Sequence, residues 1–302
     1  MTLDPWRLRL LADLEVHGTV RAVAQHASVS PSAVSQQLAV LERETRTVLL
    51  ERTGRRIRLT SAGMLLARRG REILARMADA EAELRGLGAE PAGTVRLATF
   101  QSAVHSMAMP AVSRLSGRHP DLDVVVLELE PHDSMPALRR GDVDVIITTT
   151  DAGAELDPAV DQVPLGEDAV VAVLPATHAL AAVDTVDLAA CADERWTFDV
   201  TGSYMSGLAT RLCREAGFEP RIVCRLNNYV LALQHVAAGQ SITLLPGLAV
   251  DTDLPVVTRR LRTPVHRRIV AAVRRAGTAQ PAVMAVLEEL RRRPPSPVGP
   301  AS

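Results

Sequence analysis

Residues 19–43 read TVRAVAQHASVSPSAVSQQLAVLER, and this stretch decides what the first part of the chain is. Thr19 can cap a short helix reaching residue 26, with Val20, Val23 and Ala24 on its inward face. Ser30-Pro31 is the favoured order for an N-cap and a first helical position, because the amide that proline lacks would have no helical partner there. The helix it opens runs to about residue 43 and keeps Val34, Leu38 and Leu41 on one face, which leaves Ser32, Ser35 and Gln36 outside. Between the two helices lies the tight stretch Ala27-Ser28-Val29, where Val29 is expected to plug the interhelical angle. Upstream, Leu8, Leu11 and Leu14 recur at helical spacing between Pro5 and Gly18. Two short helices joined by a tight turn, the second polar at its start, make a helix-turn-helix whose second helix enters the major groove. There Gln36 can bond an adenine edge through both ends of its carboxamide, and Ser32 and Ser35 can reach bases or phosphates. An ordinary polar helix face is the plain alternative.

Residues 51–60, ERTGRRIRLT, read as a short hairpin turning at Gly54 with Arg55, Arg56 and Arg58 projecting. Beside a helix-turn-helix such a hairpin is a basic wing, able to lay guanidinium groups in the minor groove or on phosphates. Charge along the chain agrees. The 302 residues carry a formal net charge of −1, and all 34 basic residues are arginine. Residues 1–71 hold 12 arginines against six acids, residues 258–293 hold ten against two, and the remainder is strongly acidic. A basic N-terminal unit on an acidic middle fits a nucleic-acid module joined to something else. The C-terminal basic stretch reads either as a second phosphate patch or as a solvated strand edge and helix face.

The longer run AVAQHASVSPSAVSQQLAVLERETRTVLLERTGRRIRLTSAG, residues 22–63, resembles the DNA-binding signature of LysR-type transcriptional regulators. Its S-P-S-A-V-S-Q-Q-L, L-E-R, L-L-E-R and L-T-x-A-G segments stand in that family's order and spacing. The resemblance implies a winged helix-turn-helix in which Pro31, Ser32, Ser35, Gln36 and Arg55 meet DNA. Thr19, Ser30 and Arg56 complete the candidate DNA-binding set. Thr47 stands where the family usually has Gly, and a left-handed cap there would cost ~1 kcal/mol. Leu50 replaces the more usual Phe.

Ser61 is the expected cap of a long helix running to about Leu87. Leu66, Ile73, Ala80 and Leu87 lie seven apart, with Gly70, Met77 and Leu84 at the complementary positions. That is either a coiled-coil dimer seam or a stripe packed within the chain. Gly86 to Gly93 reads as a hinge. From Thr94 apolar strands alternate with amphipathic helices, which predicts an α/β unit with mostly parallel strands. Two lobes, the second inserted at about 163–262 with a return at His266–Val273, look like the effector domain of the same family and the periplasmic solute-binding fold. The resulting division is 1–60 winged helix-turn-helix, 61–88 linker and dimerisation helix, 89–293 effector unit, and 294–302 disordered tail.

Ligands of open α/β sheets bind beyond the C-terminal strand ends, where helix N-termini offer donors. Candidates there are Thr99, Gln101 and Ser102 after the first strand, Thr148 at the end of another, Ser203 and Tyr204, and Asn228 at a helix start. The resemblance implies that Ser102, Thr148 and Ser203 match positions that hold an effector, commonly a small carboxylate. Position 131, where many relatives offer a donor, is Pro, with His132 next to it as a further candidate. For each residue alone, a cap or turn is an equal explanation.

No P-loop, dinucleotide fingerprint, G-x-S-x-G elbow or H-E-x-x-H occurs, and the eight His lack metal-ligand spacing, so no enzyme, cofactor or metal is expected. Asp142 and Asp144 lead into a buried strand. Three cysteines cannot all pair, and they read as buried thiols or, for Cys213 and Cys224, a redox pair. No run of about 18 apolar residues suggests a membrane span, and the acidic start does not read as a signal peptide, which points to the cytoplasm. The expected function is a sequence-specific transcriptional regulator. It would be controlled by a small-molecule effector, bind a dyad operator on double-stranded DNA as a homodimer or homotetramer, and reach RNA polymerase. A DNA-binding protein whose rear unit only oligomerises is the alternative, with a solute-binding protein behind it.

Overall fold

The computed structural model describes residues 3–53, 56–86, 90–150, 159–250 and 253–292. They form two compact units, Met1–Leu87 with Arg139–Asp142, and Gly88–Leu138 with Val143–Ser302.

In the first unit every helix start has a chemical cause. Asp4 caps α1 (Pro5–His17), accepting from the Trp6 amide at 2.8 Å, and Gly18 at φ 68° ends it. Thr19 caps α2 (Val20–His26) and Ser30 caps α3 (Pro31–Thr45), each side-chain oxygen accepting an amide from three residues on. Leu10, Leu11, Leu14, Val23, Ala24, Val34, Leu38 and Leu41 form the core. Val29 does not plug the interhelical angle: it is 38% exposed, and Ala27 packs against the core instead. Ser28 turns the corner at φ 55°, which directs the next side chain outward. The left-handed residue ending α3 is Arg46, at φ 51°, and not Thr47. The non-glycine cost therefore falls one residue earlier than the family comparison suggested.

The Glu42 carboxylate then reaches forward from α3. Its Oε1 accepts from the Leu49 and Leu50 amides at 2.8 and 3.0 Å, fixing the chain as it enters the wing. The wing strands β1 (Leu50–Thr53) and β2 (Arg56–Leu59) pair antiparallel, with Leu50 opposite Leu59 and Thr53 opposite Arg56. Gly54 and Arg55 lie outside the described residues.

The long helix α4 (Ser61–Gly86) is capped by Thr60 rather than Ser61. Thr60 Oγ1 accepts from the Gly63 amide at 3.0 Å while donating to the Val48 carbonyl at 2.8 Å. One hydroxyl thus joins the helix start to the wing entrance. The heptad stripe of α4 divides. Gly70 packs on Leu8 and Leu66 on the core, whereas Ile73 and Met77 are 39% and 41% exposed.

The second unit holds an eight-stranded sheet in the order β4-β3-β5-β12-β6-β11-β7, with β10 also on β6. The strands are β3 (Gly93–Thr99), β4 (Leu122–Glu128), β5 (Val145–Thr149), β6 (Val160–Pro175), β7 (Thr185–Val186), β10 (Thr243–Pro246), β11 (Val256–Leu261) and β12 (His266–Arg274). A parallel pair, β8 (Arg195–Phe198) with β9 (Arg221–Arg225), joins β10 through a bridge from Trp196 to Ile242. The helices are α5 (Gln101–Ala103), which continues through a π turn into α6 (Met109–Arg118), then α7 (Pro131–Arg140), α8 (Tyr204–Glu215), α9 (Tyr229–Ala237) and α10 (Pro281–Arg292).

The strands are not mostly parallel. β3, β4 and β5 are, but β12 runs antiparallel to β5 and β6, and β10 and β11 run antiparallel to β6. The cause is β6. Its 16 residues pair with β12 through Ala169 and with β10 and β11 from Val170 onward, so one strand serves both lobes and the return strand must oppose it. Each lobe keeps a separate core, one around Leu97, Leu115, Ile147 and Val286, the other around Leu174, Trp196, Leu212 and Leu244.

The C-terminal arginines serve as internal ties. Arg274 donates to the Leu138 and Val143 carbonyls, Arg275 to Asp161 and Arg262 to Asp187, while Glu289 is buried against Arg114 and Arg118. Asp144, clamped by Arg96 at 2.9 Å and Arg274 at 3.6 Å, is likewise structural. Part of the basic run 258–293 is thus neither a phosphate patch nor a solvated edge, because Arg262, Arg267, Arg274 and Arg275 are engaged within the unit. The tail 294–302 lies outside the described residues.

One packing contact gives a direct test. A Cβ at Gly63 would stand 2.1 Å from the Leu49 carbonyl oxygen and 3.2 Å from Leu59 Cβ. Gly63→Ala should destabilise the first unit by about 1–3 kcal/mol through overpacking, measurable as a loss of denaturation midpoint. An unchanged midpoint would refute the close approach.

Candidate functional site

Among the residues suggested for DNA contact, Thr19, Ser30, Pro31, Ser32, Ser35 and Gln36 are all exposed on the first unit. Their chemistry differs. Ser30 and Ser32 hydroxyls bond each other at 2.9 Å, and Ser35 donates back to the Pro31 carbonyl at 3.0 Å, so all three can rearrange but are not idle. Gln36 makes no hydrogen bond among the described residues, whereas its neighbour Gln37 accepts from Arg7 at 2.9 Å. Helical phase explains the split: Gln37 turns toward α1 and Gln36 away. Arg58 is exposed on β2, opposite Glu51; Arg56 opens that strand, and Arg55 lies outside the described residues.

Between the two lobes of the second unit lies a cavity of about 330 Å³ whose walls include Gln101, Ser102, Glu128, Asn228, Tyr229 and Val230. Gln101 spans it. Its amide donates to the Asn227 carbonyl at 2.6 Å and its carbonyl accepts from the Tyr229 amide at 2.9 Å. Asn228 caps α9, accepting from the Leu231 amide at 3.1 Å. Ser102 accepts at 3.0 Å from Arg267, a guanidinium only 1% exposed that pairs with the equally buried Asp168 and lies over the Phe100 ring at 4.9 Å.

The other candidates fall elsewhere. Thr99 is buried at the end of β3 with its hydroxyl unpaired, and Thr148 is buried too, accepting from Ser134 at 3.1 Å. Neither lines the cavity. Ser203 caps α8, accepting from the Ser206 amide at 3.1 Å. His132 is half exposed beside Asp133. The Tyr204 amide is held across the lobes by Glu130 Oε2 at 2.9 Å.

Glu130, Asp168, Asp199, Tyr229 and Arg267 were not foreseen. Tyr229 directly follows the helix cap Asn228, a position that marked it. The others become neighbours only through pairing of distant strands. Burial raises the Glu130 carboxyl above its ordinary range, against the Tyr204 amide that lowers it. Burial also raises Asp199, which its bonds to Val200 and Ser203 partly oppose. Burial pushes the Tyr229 phenol up as well, with Asp199 next in effect.

A Ser-His contact exists in the second lobe, where Thr197 and Ser241 hydroxyls meet His235 Nδ1 at 2.8 and 2.9 Å. Both hydroxyl residues are buried and the cavity does not reach them, so the trio ties β8 to α9. Among the described residues no group of three or more His, Cys, Asp or Glu could hold a metal, and no helix is long and apolar enough to cross a membrane.

A winged helix-turn-helix followed by a two-lobed α/β unit with an interlobe cavity is the layout of a ligand-responsive DNA-binding regulator. Two family models match the chain: the bacterial regulatory helix-turn-helix protein of the lysR family over residues 6–64, and the LysR substrate binding domain over residues 88–295. The chain belongs to the LysR family of transcriptional regulators. Among similar proteins, a probable hydrogen peroxide-inducible genes activator of Streptomyces viridosporus is 29% identical over 91% of this chain and 89% of its own. The regulator ShiR of Corynebacterium glutamicum is 31% identical over 76% of this chain and 77% of its own. Among solved structures, a full-length OxyR variant from Pseudomonas aeruginosa superposes with a TM-score of 0.76 at 20% identity, covering 96% of this chain and 98% of that one. CbnR gives 0.64 at 20% identity, covering 97% and 100%.

The raised carboxyls yield a pH test. Each binds its proton more tightly folded than unfolded. Their penalty on folding therefore appears as pH rises from the ordinary carboxylate range and is complete above their folded values. Glu130→Gln and Asp199→Asn keep an acceptor oxygen and should melt above wild type at about pH 7.5, with the gain shrinking toward about pH 4. Melting below wild type at the higher pH would contradict the assignment.

Proposed function

We propose that the chain works in the cytoplasm as a homo-oligomer, reading a dyad operator with two α3 helices while a small molecule between the lobes sets its activity. The supporting observation for DNA reading is the unpaired, exposed Gln36 on a helix whose apolar face is fully buried. A major-groove helix needs that combination of rigid placement and free polar edge. The exposed half of the α4 stripe, Ile73 and Met77, favours pairing of two chains along α4. Regulator rather than enzyme is the better reading, because the similar proteins are transcriptional regulators. Arg58, exposed on β2, suits phosphate or minor-groove contact, a reading supported by the likeness in fold, with a TM-score of 0.62, to full-length CbnR complexed with its target DNA.

Gln36→Ala should lose about 10- to 100-fold of the preference for the operator over random DNA, the range of a bidentate base contact. Arg55→Ala should weaken both and lower the salt slope by about 0.9. Equal losses on operator and random DNA for both variants would overturn these roles.

The names of several relatives raise peroxide as an input. Two of the three thiols argue against it, while Cys224 is half-buried on β9. Cys191 and Cys213 are buried in the second-lobe core, and burial pushes them up to about 11 and about 12. Such thiols stay protonated near neutral pH and are poor nucleophiles toward an oxidant. Hydrogen peroxide at a few equivalents should leave operator affinity unchanged and form no intramolecular disulfide by intact mass. A disulfide accompanied by altered DNA binding would establish redox sensing instead.

A further inference from the structure

Two histidines of the first unit stand together without a task in the fold. His17 is the last residue of α1 and His26 the last of α2. The turn at Gly18 folds α2 back so that the two rings meet, with centroids 4.9 Å apart and planes tilted by 42°. Both residues are exposed, and neither ring makes a hydrogen bond or ion pair among the described residues. Leu14 and Val23, one turn before each histidine, are buried in the core. Packing therefore holds the two helix ends, and the rings do not depend on their own contact to stay close. Other histidines are engaged. His178 Nδ1 accepts from the Leu180 amide at 3.1 Å, His235 Nδ1 meets Thr197 and Ser241, and His132 lies beside Asp133. No other two histidine rings meet among the described residues.

A helix end accounts for one histidine at a time, because its free carbonyls favour positive charge. It does not account for two rings in contact. A shared metal ion does. With Zn–N bonds of about 2.0–2.1 Å and a tetrahedral angle, two imidazoles on one ion have centroids roughly 5 Å apart. The separation here meets that spacing without moving either helix. The ion's charge would also lie at the carbonyl ends of both helices, where a cation is favoured. Glu15, two residues before His17, is tied to Arg71 at 2.5 Å, so water is left to complete the coordination.

We propose that His17 and His26 form a two-histidine site for a divalent transition-metal ion of the zinc, nickel or copper class. Imidazole selects such ions over magnesium and calcium, which take oxygen ligands. The bound ion joins the last turn of α1 to the last turn of α2. Thr19 follows His17 by two residues, and the chain after His26 turns at Ser28 into α3. The clip therefore sits on the helix corner from which the helix-turn-helix is built.

The test titrates the full-length protein, freed of metal by chelator, with zinc and nickel chlorides by calorimetry, with magnesium chloride as the oxygen-seeking control. Zinc or nickel should bind saturably and raise the melting temperature, and magnesium should do neither. His17→Gln and His26→Gln should each weaken that binding by about tenfold or more, since even outer-shell partners of a metal are worth that much. Both positions are exposed, so both variants should melt with wild type in chelator. His132→Gln, which changes an exposed histidine of the second unit, should leave the affinity unchanged. Wild type loaded with one equivalent of copper gives a readout that needs no substitution: its paramagnetic resonance should show coupling to two imidazole nitrogens. No saturable zinc or nickel binding, weakening by only one variant of the pair or by neither, equal weakening by His132→Gln, or copper coupled to fewer than two imidazoles would each overturn the site.

Discussion

The second unit depends on one desolvated contact, the Arg267 guanidinium against the Asp168 carboxylate, on neighbouring strands where the chain crosses between lobes. The two residues are register partners of β12 and β6, and both are almost fully buried. Such a pair contributes little net stability compared with an apolar replacement, but removing one partner would strand the other charge at a cost of about 3–5 kcal/mol. Its effect is to make the crossing register definite. A slip by one residue would move Arg267 from Asp168 toward a side chain on the opposite face. The same guanidinium touches Ser102 and Phe100, so the crossing point and the cavity floor are one structure.

That arrangement explains how a binding event can be felt across the unit. Gln101 in the first lobe holds the start of α9 in the second, and Glu130 holds the start of α8. A ligand entering the cavity meets the Gln101 bridge, and it shifts the lobes only as far as it prefers one arrangement over another. The first unit follows an opposite design. Its polar side chains are spent mainly at helix ends and on the wing entrance, through Asp4, Thr19, Ser30, Glu42 and Thr60, and that rigidity leaves a few exposed groups such as Gln36 for recognition.

Local chemistry was legible in the sequence wherever it is local in space. Ser30-Pro31 starts α3 as the residue types require, and the face of Val34, Leu38 and Leu41 is buried. Three expectations missed by one or two residues for a shared reason. Thr60 replaces Ser61 as the cap because its hydroxyl can also reach Val48, a contact that exists only once the wing is folded. Arg46, not Thr47, takes the left-handed conformation because the last turn of α3 sets where the helix must end. Ala27 fills the helix angle in place of Val29 because the Ser28 backbone reverses the direction of the next side chain. The cleft was legible only in part. Gln101, Ser102 and Asn228 lie at strand ends and helix starts, which sequence marks, and they line the cavity. The Arg267–Asp168 pair depends on the antiparallel return of β12 along β6, which no local pattern encodes.

Regulation through the cleft is tested most directly by footprinting the full-length protein on its operator, with and without a saturating cleft ligand found by its melting shift. Control by the cleft predicts an altered footprint length or DNA bend at saturation, with protection of the bases under α3 retained. Identical footprints and bends with the cleft saturated would contradict it.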